Sequence, residues 1–415
     1  GAVNVLIGNG QALVVGTNVS ELSTFTDPFD VTRLNVGIST LTSQTDIGRF
    51  LSGGELGAAL TFRGEVLDGS RSQLGLIATG VAATFNDQQR LGQDLNGDLG
   101  IDLFRTPTPA VTESADNSGT GTLTAVITDP TGLTGDEYRL SFDGATYTLR
   151  NTTTDAAVTG GGPTLSLEGI EVSVAGTPSA GDAFRVSPVA QGASLFDVQF
   201  SDPRLIAAAS PVRSASSLAN GGSGELVDLA ASGTASLPLG SAVTLTFSDD
   251  IGGGVPGFDV TGAITGTLAF DPATDSSGLD VTLGDLSFTL RGAPVAGDSF
   301  TIEDNTAGTG DNRNALALAA LQAERTLNGG TASYQDAYAT LLGDVAVRTQ
   351  QAQSTAATEQ SLLERARSAR DSAQGVNLDE EAANLIRYQQ AYQAAAQVIA
   401  VADEVFQTLL AATRR

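Results

Sequence analysis

Hydrophobic and polar positions change their spacing several times along the chain, and each change predicts a different kind of element. Val3 to Val15 alternates around Gly8-Asn9-Gly10, the pattern of a β-hairpin. Residues 20–50 are polar with short alternating runs such as Thr32 to Ile38, which predicts strands and loops. Over residues 54–86 the period lengthens. Leu60, Leu67, Leu74 and Val81 recur every heptad, with Gly64, Ala78 and Phe85 on the neighbouring line, so a helix is predicted there. A loop is expected from Asn86 to Arg105, and Pro107 and Pro109 mark a boundary.

From about 108 to 308 the period falls to two. Tyr138 to Phe142, Thr146 to Leu149, Val243 to Phe247 and Leu286 to Leu290 read as short strands between turn clusters rich in Gly, Ser, Thr and Asp. This region repeats itself. Leu167 to Val186 aligns without gaps on Leu283 to Ile302, sharing a strand, a Gly-x-Pro-x-Ala-Gly-Asp turn, a Phe and a second strand. Two related β domains are therefore expected, linked by Asp202 to Ser210, with Pro178 and Pro294 in equivalent turns. Asp182 and Asp298 are expected to hydrogen-bond their own loops.

Past Asp311 the spacing becomes helical again. One helix is predicted over 312–326, broken at Asn328-Gly329-Gly330, and a long one over 332–374, stopped by Gly375. The last helix opens at Asn377-Leu-Asp-Glu380, a pattern like a capping box. Its seam is Leu378, Leu385, Tyr392, Ile399 and Phe406, with Tyr388, Ala395, Ala402 and Leu409 on the paired line. Three-four alternation sustained in this way is the coiled-coil pattern, in a rod roughly 50 Å long. A helix gains most of its stability by burying its stripe, so this one needs a partner helix.

Composition narrows the possible functions. The chain has 415 residues, enough for two to four domains, and a net charge of -26 from 47 acidic and 21 basic residues, all of the latter arginine. So acidic a surface repels phosphate backbones and anionic lipid, which argues against nucleic-acid or membrane partners. No stretch reads as a run of ~20 apolar residues suited to a membrane span. Cys, His, Met and Trp are absent. That removes disulfides, thiolate metal sites and the commonest general base. The opening Gly1-Ala2-Val3-Asn4 shows neither an initiator methionine nor a signal peptide, and a hairpin is already under way. The expectation is a piece of a longer protein, without its N-terminal part.

Candidate chemistry is sparse. Asp94, Asn96, Asp98 and Asp102 are spaced like a calcium loop, but Leu99 stands where the glycine is needed and Arg105 where the bidentate glutamate is needed. Asp379, Glu380 and Glu381 fall in a first helical turn, where negative charge complements the macrodipole. Gly160-Gly-Gly162 and Gly252-Gly-Gly254 are followed by no Gly-Lys-Ser/Thr and read as loops. No catalytic, cofactor-binding or metal-binding residue is assigned, and no cofactor is expected. Other readings are a secreted β-rich adhesin or a glycosidase using a carboxylate pair, though the latter needs aromatic platforms that six tyrosines and no tryptophan hardly supply.

Asn377 to Ile399 resembles the C-terminal signature of flagellar axial proteins, closest among them to the hook-associated protein 1 family. Similar to the same family are Gly53 to Gly57 with Phe62-Arg63, Phe85-Asn86 with Gly92 to Gly97 and Leu103-Phe104, and Gly310 to Leu321 with Ser333 to Tyr338. The chain departs from the family in lacking its long N-terminal helical region. The resemblance implies a non-enzymatic subunit joining hook to filament, outside the cell, exported without a cleaved signal peptide. It implies partners in the hook protein, other hook-associated proteins, further copies in a ring, and an export chaperone. Leu378, Leu385, Tyr388, Tyr392, Ile399, Phe406 and Leu409 would form the assembly and chaperone interface.

The expected architecture is multidomain α+β. An α-helical, coiled-coil domain is formed by both ends of the chain, with two inserted all-β domains. The expected divisions are 1–106, 107–210, 211–308, 309–375 and 376–415. Residues 54–86 and 312–374 should pack together with the 3–15 hairpin, and the ends of the β excursion, near 106 and 309, should lie close.

Overall fold

The computed structural model describes residues 4–7, 10–39, 44–51, 54–306, 308–374 and 378–413. Helices lie towards both ends of the chain, with antiparallel β-sheets between them. The chain divides into two compact units, residues 1–347 and 348–415.

The first unit opens with two small sheets. Strands β1 (Val5–Ile7), β2 (Gln11–Val15) and β3 (Asn18–Val19) pair in order; Gly8 and Asn9, where the turn was expected, lie outside the described residues. Leu6, Val15 and Val19 stay exposed, so this hairpin does not bury its apolar side on the helices as expected. The next hairpin takes the helix surface instead. Strands β4 (Glu21–Asp27), β5 (Asp30–Ser39) and β6 (Gln44–Asp46) form the second sheet. Arg63 donates from the helix to the Leu34 carbonyl at 3.1 Å, and Arg33 pairs with Asp68 at 2.8 Å.

The helical stretch comprises α1 (Gly54–Thr61), a π-helical segment Phe62–Asp68, and α2 (Gly69–Arg90). It therefore runs four residues past the expected stop at 86. Asn86 is not a breaker. Its amide is spent on a distant segment, donating to the Phe104 carbonyl and accepting from the Phe104 amide, both at 2.8 Å. The expected stripe is also not the buried face, since Leu67 and Leu74 are exposed. A π-helical turn holds more residues than an α-turn and so rotates the helix beyond it. The buried face of α2 is Gly75, Leu76, Thr79, Gly80, Ala82, Asn86 and Gln89. Glycine at 75 is required, because a Cβ there would lie 1.8 Å from the Val189 carbonyl oxygen.

Two β modules come next. The first holds β7 (Ala110–Glu113), β8 (Thr122–Ile127), β9 (Tyr138–Phe142), β10 (Tyr147–Asn151), β11 (Ala157–Gly160), β12 (Thr164–Leu167), β13 (Ile170–Ala175) and β14 (Ala183–Ser187). A short helix α3 (Gly192–Leu195) closes it. The second holds β15 (Val212–Ser216), β16 (Glu225–Ala231), β17 (Val243–Ser248), β18 (Gly257–Gly262), β19 (Gly266–Ala269), β20 (Leu279–Leu283), β21 (Leu286–Arg291) and β22 (Ser299–Asp304). In the first, a five-stranded sheet ordered β11-β10-β9-β14-β7 faces a three-stranded sheet β12-β13-β8. In the second the orders are β19-β18-β17-β22-β15 and β16-β21-β20, the same topology strand for strand.

Each module buries its own core between its two sheets, as alternation requires. Tyr138, Leu140, Leu149, Ile170, Val172 and Phe184 fill the first, joined by Leu76 of α2. Leu245, Phe247, Phe258, Phe288 and Phe300 are among those that fill the second, with Leu91 and Leu99 packed against it. Pro178 and Pro294 occupy like positions: each lies beside two glycines of the loop preceding the module's second strand, Gly119 and Gly121 in one, Gly222 and Gly224 in the other.

Asp182 and Asp298 do more than cap their own turns. Asp182 accepts from the amides of Ser179, Ser118 and Gly119, and Asp298 from those of Val295, Gly221 and Gly222. Each carboxylate thus ties two loops that are distant in sequence. The Ser179 and Ser118 amides hold Asp182 below the usual carboxylate range. Burial pushes Asp298 upward, but its three backbone donors outweigh that and it too is lowered.

The C-terminal helices are α4 (Arg313–Ala320), α5 (Tyr334–Gln374) and α6 (Leu378–Thr413). The helix expected over 312–326 ends at Ala320. Leu321 and Leu327 are buried beyond it, and Leu327 packs on Gly80 of α2, a contact that a continued helix would forgo. Asn328, Gly329 and Gly330 then turn the chain with positive φ. Ser333 caps α5: Asp336 accepts from the Ser333 amide at 3.1 Å, and the Ser333 hydroxyl accepts from the Asp336 amide at 3.2 Å. Tyr334 packs on Phe85 and shares a hydrogen bond with Thr84.

Candidate assembly surface

The two ends of the β excursion return to the C-terminal end of α2. Thr106 Oγ1 accepts from Asn86 at 3.3 Å, and a Cβ on Gly308 would lie 3.2 Å from Gln93 Oε1. Between them runs a buried polar network. Gln89 donates to the Leu205 carbonyl at 2.8 Å, and Asn314 donates to the Ala207 carbonyl at 2.6 Å while accepting from Gln88. Each amide both donates and accepts, so each satisfies two strands of chain at once.

Arg313 holds the second module to this hub. Its guanidinium donates to the carbonyls of Leu229 and Val212, at 3.1 and 2.7 Å, and pairs with Asp311. Burial alone would raise the Asp311 carboxyl, yet Arg313 beside it pulls it below the usual range. No motif in the sequence marks Arg313 or Gln89 as joints. Their role depends on a linker that comes near only after folding.

The candidate chemical groups turn inward on their own loops. Asp94 accepts from the amides of Asn96 and Asp98, and Asp102 pairs with Arg90 at 2.6 Å. Among the described residues no cluster of three or more potential ligands is arranged to hold a metal ion. Asp379, Glu380 and Glu381 lie in the first turn of α6. Gly375, Asn377 and the side chain of Leu378 lie outside the described residues.

The remaining feature is α6 itself. Leu385, Tyr388, Tyr392, Ile399, Phe406 and Leu409, the seam read from the sequence, are all 58–79% exposed. Further apolar side chains were missed by the heptad reading: Ile386, Val398, Val401, Val405 and Leu410 are exposed too. Their signal was i, i+3, i+7 spacing at 398, 401 and 405, which flanks the seam. On a helical wheel they widen the apolar sector to about half the circumference, more than a two-stranded seam needs.

This width corrects the expectation that no stretch is apolar enough for a membrane span. Asp379–Thr413 is long and apolar enough by composition, with a mean hydropathy of 1.3 over its best window. Alanines between the seam positions raise the average. Asp403 and Glu404 lie within the same helix, where charge is costly in a bilayer.

Three family models match the chain. The flagellar hook-associated protein FlgK helical domain covers residues 1–104, and the flagellar hook-associated protein 1 D2-like domain covers 112–188. The flagellar basal body rod FlgEFG protein C-terminal model covers 368–412, most of α6. A solved structure, the flagellar hook junction protein FlgK from Burkholderia pseudomallei, is 30% identical with a TM-score of 0.74 over 90% of this chain and 73% of that one. This chain belongs to the flagellar hook-associated protein 1 family. Members from Escherichia coli (strain K12) and Salmonella typhimurium (strain LT2) are 27% and 28% identical over 99% of this chain. The chain spans 59% of the length of each of those two relatives. Helices near both ends with β modules between them are thus the hook-associated protein architecture, shared with a structure at this level of likeness.

Proposed function

We propose that this chain is part of a structural, non-enzymatic subunit that joins hook to filament outside the bacterial cell. The observation that carries the reading is the apolar face of α6. It is wide and exposed over its whole length, and it lies in a segment that matches an axial-protein C-terminal model. Each large side chain on that face is worth roughly 1.5–3 kcal/mol when buried, so the helix is built to be covered. A sector of about half the circumference accommodates neighbours on two sides, as packing among several copies demands.

In this reading Leu378, Leu385, Tyr388, Tyr392, Ile399, Phe406 and Leu409 form the contact with neighbouring axial helices. Val398, Val401 and Val405 extend it. Before secretion an export chaperone covers the same face. The partners are the hook protein, other hook-associated proteins and further copies of the chain, with no nucleic acid and no membrane among them. The β modules fold on their own cores and do not depend on that contact.

The test is the double substitution Leu385→Asp and Ile399→Asp. It should abolish chaperone capture in a pull-down and assembly onto hook fragments in negative-stain images. Circular dichroism of the β region should be unchanged. Unchanged capture and assembly would refute the reading. General loss of structure would show that the helix supports the fold instead.

A further inference from the structure

The β4–β5 hairpin spans from the helix to the first β module, and it is fastened at both ends. Along its length Arg33 pairs with Asp68 and Arg63 donates to the Leu34 carbonyl. At its tip the Arg139 and Arg185 guanidinium carbons stand 5.4 and 5.8 Å from the centre of the Phe29 ring. Arg185 also donates to the Phe29 carbonyl at 3.1 Å, and the Ala115 amide donates to the Pro28 carbonyl at 2.8 Å. Asp27 stiffens the tip by accepting from the Phe29 amide and from Asn35. Positive charge over an aromatic face is attracted by the ring quadrupole, so two arginines on one ring make a fastening that depends on that ring.

Beneath the hairpin lies a cleft of about 640 Å³ lined in part by Arg33, Asp68, Arg71, Glu113, Glu137 and Arg185. Its arginines hold its walls together: Arg33 binds Asp68, Arg71 donates to the Ala190 carbonyl, and Arg185 holds Phe29. The cleft is the space under a strap. The first module is thus attached in three ways: by its covalent entry near Thr106, by the docking of α2, and by a tip some eighty residues earlier in sequence.

We propose that Pro28–Phe29 is a latch that fixes the orientation of the first β module on the helical part, and that its release frees the module to swing without unfolding. This goes beyond the junction role, since it concerns how one module is set within a subunit whatever that subunit joins. The second module is held differently, by Arg313 close to its own points of entry and exit. The two modules therefore answer to different fastenings.

Two experiments test the latch. In the first, Phe29→Ala is examined by amide hydrogen exchange. The Ala115 amide should exchange at least tenfold faster. Amides in the interior of β9 and in β17 and β22 of the second module should keep their wild-type rates. In the second, Pro28→Cys with Ala115→Cys is oxidised mildly; the chain has no other cysteine, so any disulfide is this one. The pair should cross-link in an otherwise wild-type chain, and the cross-link should restore slow exchange beside position 115 in the Phe29→Ala background. Wild-type exchange at Ala115 in Phe29→Ala, or failure of the pair to cross-link, would overturn the proposal. So would a rise spread evenly through the first module, which would make Phe29 a support of the fold and not a latch.

Discussion

Replacing Gly75 by alanine should destabilise the protein, although alanine is the better helix former. Gly75 lies inside α2, and an ideal Cβ there would sit 1.8 Å from the Val189 carbonyl oxygen and 3.4 Å from the Gly192 amide nitrogen. The approach is mutual, because a Cβ on Gly192 would lie 2.4 Å from the Gly75 carbonyl oxygen. Carbon and oxygen rest at about 3.3 Å or more, so one backbone must retreat by about 1.5 Å. The blocking atoms are main chain, so no side-chain rotation relieves the clash. Overpacking of this kind costs about 1–3 kcal/mol or more. In open space the same change gains up to about 1 kcal/mol from the helix preference of alanine over glycine. Net destabilisation of about 1–3 kcal/mol is therefore expected. Gly69, in the first turn of the same helix, has nothing within 4 Å of its would-be Cβ, so Gly69→Ala should be neutral or stabilising. Urea unfolding should be followed by far-ultraviolet circular dichroism and by amide exchange in the first module, since a chain of several modules need not unfold in one step. A Gly75→Ala midpoint equal to or above that of Gly69→Ala would refute the reasoning.

Leu245 is fully buried in the second module, so Leu245→Ala should cost that module about 2–5 kcal/mol and leave exchange in the first module unchanged. Asp182, Asp298 and Asp311 have folded pKa values below the carboxylate range, so the stability they add is present above their unfolded values and lost as pH falls through the folded ones. With no histidine to titrate, thermal midpoints should be nearly flat from about pH 5 to 8 and fall below about pH 4. Asp182→Asn with Asp298→Asn should blunt that acid fall and lower the neutral midpoint; an unchanged acid fall would remove these two carboxylates from the account. Arg313→Ala should raise exchange at strand β15 and at the amides around Leu229 ahead of the rest of the second module, and equal rates throughout would show that Arg313 is not its fastening.

Local pattern determined much of this protein. The runs at Tyr138–Phe142 and Val243–Ser248 alternate because a sandwich strand buries every second side chain, and they form β9 and β17 where the alternation says they should. The heptads of α6 announce an amphipathic helix without any tertiary information, and the Asn328-Gly-Gly turn needs only the positive φ that those residues tolerate. The apolar width of α6 was also present in the letters, at Val398, Val401 and Val405, but a heptad template looks past it.

Only the tertiary structure decided the rest. The buried face of α2 is small and polar, Gly75, Thr79, Asn86 and Gln89, because backbones cross there and amides bind a remote linker. A hydrophobic template instead favours Leu67 and Leu74, which face solvent. The helix predicted to reach 326 stops at Ala320 because Leu327 fills a notch above Gly80, and the loop predicted at Asn86 is helix because that side chain has a partner eighteen residues on. Asp182 and Asp298 read as turn residues, yet they join loops more than sixty residues apart. Periodicity records which side of an element is apolar. It does not record which distant backbone will come within hydrogen-bonding reach, and that proximity sets the hub at Asn314, the hold of Arg313 and the grip of two arginines on Phe29.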